Sequence, residues 1–99
     1  MLADAHGFAS VELMRDERAL QPETMYIEHM EIKLEDRNRG YGEELLRKTE
    51  LFAENLGAKW LQIDSEAKAA GFWLRMGFQE TGKLLYAGKV SMVKRLRRP

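Results

Sequence analysis

The chain has 99 residues, enough for one domain with a single core, and its 16 basic and 16 acidic side chains cancel to zero net charge. That balance leaves no whole-molecule field for a nucleic acid, and the basic stretch Lys94-Arg95-Leu96-Arg97-Arg98 reads as a solvated terminus. There is no cysteine for a disulfide or thiolate metal site, only His6 and His29 as histidines, and no window holding the roughly 18–20 apolar residues of a membrane span. The expectation is a cytoplasmic, soluble protein with no metal site.

In chain order, Gly7 to Arg15 alternates well enough to form a strand, and the polar stretch Arg15 to Glu23, with Pro22, reads as a turn or hairpin loop. Thr24 to Leu34 is rich in β-formers with apolar residues at alternate positions, which predicts a strand over Tyr26 to Leu34. The turn Arg37-Asn38-Arg39-Gly40-Tyr41-Gly42 follows. Leu45, Leu46, Thr49, Phe52, Ala53 and Leu56 then share one helical face, and Gly57 is the stop signal. Lys59 to Asp64 is a short strand, so a βαβ unit surrounds the glycine turn.

Ser65 is a candidate N-cap for a second helix from Glu66 to about Met76, closed by Gly77. Gly71 inside that helix costs about 1 kcal/mol against Ala, which points to close packing or a ligand there. Phe78 to Tyr86 and Lys89 to Leu96 read as two last strands joined at Ala87-Gly88. The order β-β-α-β-α-β-β describes one α/β domain over residues 1–99, a mixed and mostly antiparallel sheet with two helices packed on it.

A strand, a glycine turn and a helix start aim unpaired backbone N–H groups and the positive end of the helix dipole at one point. Gly40 and Gly42 let the main chain come close to an anion, and Arg37 and Arg39 add charged donors, so the turn reads as a cradle for a pyrophosphate. A dinucleotide fingerprint needs a third glycine where Leu45 stands, and a P-loop needs Gly-Lys-Ser/Thr where the chain has Gly42-Glu43-Glu44. A plain surface turn with two glycines fits the hexapeptide equally well.

With Phe72-Trp73-Leu74-Arg75-Met76-Gly77-Phe78 taken alongside the turn, the chain resembles the GNAT superfamily of acyl-CoA-dependent N-acyltransferases from about Gly7 to Leu96. That family carries Arg/Gln-x-x-Gly-x-Gly/Ala after its fourth strand and, later, an aromatic residue followed by three residues and Gly-Phe. The resemblance implies the GNAT fold in a short form, without the usual first strand and two helices, so that either the acceptor cleft is unusually open or another subunit supplies the missing wall; a homodimer is expected. It implies acetyl-CoA as cofactor. Backbone groups of Ile32 and Leu34 would pair with its pantetheine arm, and amides of Arg37, Asn38, Arg39, Gly40, Tyr41 and Gly42 would hold its pyrophosphate. Two residues depart from the pattern: Trp73 stands where many members have a proton-donating Tyr, and Ala67 where Asn is common. An indole N–H donates only, so Trp73 is expected as a core or cofactor-packing aromatic.

The implied activity is transfer of acetyl to a primary amine of a small molecule or a protein by direct attack on the thioester. A base is needed because a free lysine amine has a pKa of about 10.4. Strict alternation would put Tyr26, Glu28, Met30, Ile32 and Leu34 on one face, and the family's acceptor-facing positions then fall on Glu28, as base through water, and Tyr26, which orders the acceptor. A bulge would invert that parity and bring His29 or Glu31 forward. The alternative is a catalytically inactive module of the same fold that binds coenzyme A or a protein partner.

Overall fold

The computed structural model describes residues 1–14, 19 and 21–97. Most of the predicted Arg15–Glu23 loop lies outside them, as does Arg98. The elements run β1 (Leu2–Asp4), β2 (Gly7–Met14), β3 (Thr24–Ile32), α1 (Tyr41–Asn55), β4 (Trp60–Ser65), α2 (Ala70–Arg75), β5 (Gln79–Leu84) and β6 (Val90–Arg95). They form one six-stranded sheet in the order β1-β2-β3-β4-β6-β5. Only β3 and β4 are parallel, because α1 carries the chain back across the sheet between them. No helix among the described residues is long and apolar enough to cross a membrane.

One face of the sheet carries the core. Met25 and Ile27 of β3, Leu61 and Ile63 of β4 and Met92 of β6 pack with Leu46 and Ala53 of α1 and Trp73 of α2. Of the six residues expected in the stripe on α1, four are buried, Leu45, Leu46, Thr49 and Ala53, but Phe52 and Leu56 fall at the edge of the contact and stay exposed. The stop is as read: Gly57 takes φ +87°, and the amide of Ala58 returns to the carbonyl of Ala53.

Other boundaries moved for identifiable reasons. Ser65 does not cap the second helix; β4 keeps it, paired with Val90, and its hydroxyl donates to the carbonyl of Glu66. A 3-10 turn over Ala67–Ala69 then precedes an α2 of only six residues. Gly71 is not closely packed, for a Cβ there would meet only Nη1 of Arg75 at 3.7 Å. Tyr86–Gly88 is a 3-10 turn, so the last two strands are shorter than expected. β1, with three residues, is a strand that the sequence reading did not contain.

A break in register matters most. Ser10 lies opposite His29 but Val11 lies opposite Ile27, so Glu28 is the extra residue of a bulge in β3. Strict alternation is thereby overturned. Met30 and Ile32 fall on the core face with Met25 and Ile27, whereas Tyr26, His29 and Glu31 share the other face with Glu12, Ser10 and Phe8 of β2.

Candidate functional site

β3 and β4 pair only as far as Ile27 and Ile63. Past that pair β3 runs on to Ile32 and β4 to Ser65 without bonding each other, so the sheet opens into a fork. Glu28 and Asp64 are the first residues on its two arms. Along their inner edges the backbone groups are free of each other, which is the geometry that lets an extended chain lie between two strands.

At the end of β3 the chain turns sharply. Leu34, expected as part of the strand, instead opens a 3-10 turn over Leu34–Asp36, and its side chain is 76% exposed. Its carbonyl accepts from the amide of Arg37, and Nε of Arg37 folds back to the carbonyl of Ile32 at 3.0 Å. Asn38 at φ +64° and Gly40 at φ +84° complete the loop. Gly40 is the N-cap residue of α1 and no side chain caps the helix; the carbonyl of Gly40 accepts from the amide of Glu44. The helix-start amides ahead of Glu44 therefore have neither a cap nor an intrahelical partner, and nothing lies within 4 Å of where a Cβ on Gly40 would be. These are the features a phosphate-binding corner requires, and Arg37 and Arg39 stand exposed beside it.

Gly42 serves packing. A Cβ there would stand 3.3 Å from the ring of Phe72, so its absence lets α2 close on the first turn of α1. Trp73, expected as a core or cofactor-packing aromatic, is 5% exposed and meets Phe72 and Phe78 edge-on at 5.0 and 5.1 Å, within the core. Tyr41 is half-buried under the imidazole of His6, a residue that the sequence reading passed over as a zinc candidate.

On the helix-free face, Oη of Tyr26, one residue before the last β3–β4 pair, donates to Oδ2 of Asp64 at the start of the β4 arm, at 2.9 Å. Glu28 is exposed, and its Oε1 accepts from the hydroxyl of Ser10 at 2.9 Å. His29 and Glu31 sit 3.2 Å apart and exposed, next to Phe8. The structure thus brings Tyr26, Glu28 and Asp64 to one face at the fork, with the uncapped corner beyond the far end of β3. Asp64 was missed; only its place as the last residue of a short predicted strand hinted at it. Among the described residues no cluster of three or more acidic or histidine side chains could hold a metal.

Comparison with known proteins bears on this arrangement. The family model described as the acetyltransferase (GNAT) domain matches residues 4–94. No curated protein matches the sequence. Among solved structures, N-acetylglutamate synthase from Neisseria gonorrhoeae, complexed with coenzyme A and L-arginine, superposes with a TM-score of 0.76 at 22% identity, over 94% of this chain and 22% of its own. The PaiA N-acetyltransferase from Thermoplasma acidophilum, in complex with coenzyme A, gives 0.74 at 15% identity, over 91% and 53%. Nourseothricin acetyltransferase gives 0.75 at 25% identity, over 93% and 58%. The chain therefore spans less than two thirds of each of these proteins.

Proposed function

The chain belongs to the GNAT acetyltransferase family, and from that premise we propose that it is an N-acyltransferase that carries acetyl from acetyl-CoA to a primary amine by direct attack on the thioester. The observation that carries the proposal is the uncapped start of α1 beyond a forked β3–β4 pair, which offers an anion-binding corner and an extended-chain slot in one line. The cofactor fits these residues. Amides from Asn38 to Gly42 would hold the pyrophosphate, with Arg39 adding charge; the amide of Arg37 is already bonded to the carbonyl of Leu34, and Leu34 has left the strand, so the inner edge of β3 as far as Ile32 would accept the pantetheine arm. Two of the solved relatives contain coenzyme A, which agrees with this choice.

When bound, acetyl-CoA supplies a carbonyl carbon that accepts the amine lone pair as the C–S bond breaks. This chain contributes positioning and proton handling. Glu28, exposed at the fork and hydrogen-bonded to Ser10, takes the amine proton through water, and Tyr26 orders the acceptor. Backbone N–H groups of the opened strands are placed to receive the carbonyl oxygen as it gains charge. Water returns a proton to the departing sulfur, so the indole of Trp73 is not required to relay one. We place the protein in the cytoplasm, in keeping with a chain without cysteine, and as a homodimer, which Leu51, Phe52 and Leu56 exposed on α1 would favour.

The test is release of free coenzyme A from acetyl-CoA with a panel of small amines and lysine peptides. Release above background with at least one acceptor is expected; none with any acceptor rejects the enzyme. A second reading is favoured by the burial of Trp73 where a proton donor is usual: a module that binds coenzyme A without turnover. Tight binding by calorimetry with no release would select it. Sedimentation showing a concentration-independent monomer would remove the dimer.

A further inference from the structure

On the helix-free side of the fork lies a cavity of about 130 Å³ lined by Tyr26, Asp64, Ser91, Lys83, Met14 and Leu85, among others. We infer that it is the acceptor pocket and that it takes a small amine bearing a carboxylate, of the α-amino-acid class, with Asp64 meeting the ammonium and Lys83 the carboxylate. The inference rests on the acyl-transfer reading, and it gives that reaction its substrate class.

The placement of Asp64 begins the argument. It is the first β4 residue past the last β3–β4 pair, so its carboxylate stands where the fork opens. Tyr26 donates to Oδ2 and fixes the group in place, while a carboxylate retains lone pairs for a further donor. The second observation is Ser91. It is 1% exposed, and its hydroxyl has no hydrogen-bond partner among the described residues. Ser91 lines the cavity, so its hydroxyl is a polar group that a ligand there can meet.

Charge then selects the occupant. Lys83 lines the same cavity, and its ammonium makes no ion pair among the described residues. A cavity of this size lined by one negative and one positive side chain favours a zwitterion. A diamine would bring its second cation against Lys83, and a plain amine would leave Lys83 unanswered. Met14 and Leu85 offer an apolar wall to a short carbon side chain. Glu28, outside the lining, remains free to take the proton that the ammonium must lose before attack.

The experiment pairs amino acids with their decarboxylated forms, L-alanine with ethylamine and L-valine with isobutylamine, and adds putrescine. Coenzyme A release gives KM and kcat, and ligand-observed NMR on protein saturated with coenzyme A gives binding without turnover. For the wild type, an at least ten-fold lower KM or Kd is expected for each amino acid than for its amine. Lys83→Glu, at an exposed position, should abolish that preference; Asp64→Asn should weaken both series with coenzyme A affinity unchanged. Equal use of amines and amino acids, or a KM indifferent to both substitutions while release continues, overturns the pocket and leaves the transferase standing. If nothing is turned over, NMR decides: amino acids bound by the wild type and lost in Lys83→Glu uphold the pocket, and no binding rejects it.

Discussion

The imidazole of His6 lies flat on the ring of Tyr41, centroids 3.5 Å apart and planes 10° from parallel. His6 belongs to the tight turn between β1 and β2, and Tyr41 is the first residue of α1. Nδ1 of His6 also lies 3.0 Å from Oδ2 of Asp36, and the His6 carbonyl accepts from the amide of Lys33. The turn thus braces both sides of the loop proposed as the anion corner. A stacked pair contributes about 0.5–1.5 kcal/mol beyond its burial, which corresponds to a melting shift of roughly 2–12 °C in a domain this small.

His6→Ala should lower the melting temperature by that amount and weaken coenzyme A binding by about two- to ten-fold. His6→Phe keeps the stack and should recover most of the melting temperature. A calorimetric titration that finds His6→Ala and wild type equal in affinity would show that the brace does not reach the corner.

Gly7 meets the same region through the backbone. A Cβ on it would stand 2.1 Å from the carbonyl oxygen of Glu31, across the β2–β3 ladder. Neither strand can give way without breaking register, so Gly7→Ala should cost about 3 kcal/mol or more. Gly82→Ala is the control: nothing lies within 4 Å of its Cβ, and its φ of +82° alone should cost about 1–2 kcal/mol. Urea denaturation that ranks the two the other way would contradict the close approach.

How far the sequence foretold this molecule follows from which signals are local. The α1 stripe and its Gly57 stop, the αL turn at Gly40 and the alternation in β2 are written within a few residues of each other. The bulge at Glu28 carries no glycine or proline; it arises from how β3 matches β2, and it moved Met30 and Ile32 to the core face. Asp64 reaches Tyr26 across 38 positions and His6 reaches Tyr41 across the fold, so neither pair has a local signature. Ser65 looked like a cap because its side chain suits one, but a ladder partner at Val90 outweighs that preference.

Asp4 gives a pH dependence of definite sign. Its carboxyl is held below the ordinary 3.8, first by the backbone amide of His6 and then by the side chain of Lys48. The folded state therefore gives up this proton more readily than the unfolded chain, and stability rises with pH in that window. The contribution is complete above pH 3.8 and is lost as pH falls through the lowered folded value. Asp4→Asn should melt below the wild type at neutral pH, with the gap closing in acid. A gap that stays constant down to the acid limb would disprove the linkage.

Gly40 separates binding from folding. The space at its Cβ is open but its φ is +84°, so Gly40→Glu should cost about 1–2 kcal/mol of stability and place a carboxylate in the corner. Coenzyme A affinity is expected to fall by two orders of magnitude or more. Gly57 shares the conformation, φ +87° with open space, but lies at the other end of α1. Gly57→Glu should cost similar stability and leave affinity intact. If both variants bind alike, the pyrophosphate does not sit on the start of α1.

Trp73 tests whether the unusual residue does chemistry or only packing. It is buried among Phe72, Phe78 and the core residues of both helices, and its ring leaves almost no surface for a cofactor. Truncation to Ala should cost about 3–5 kcal/mol, too much for a clean kinetic comparison. Trp73→Phe keeps an aromatic ring, loses the N–H, and leaves a smaller void that lowers the melting temperature while the protein still folds. If sulfur takes its proton from water, kcat should stay within about three-fold of wild type across the pH range. A general-acid role for the indole would instead remove about 10²–10⁴-fold from kcat. A loss of that size in a variant that still binds coenzyme A normally would move Trp73 from the core into the mechanism.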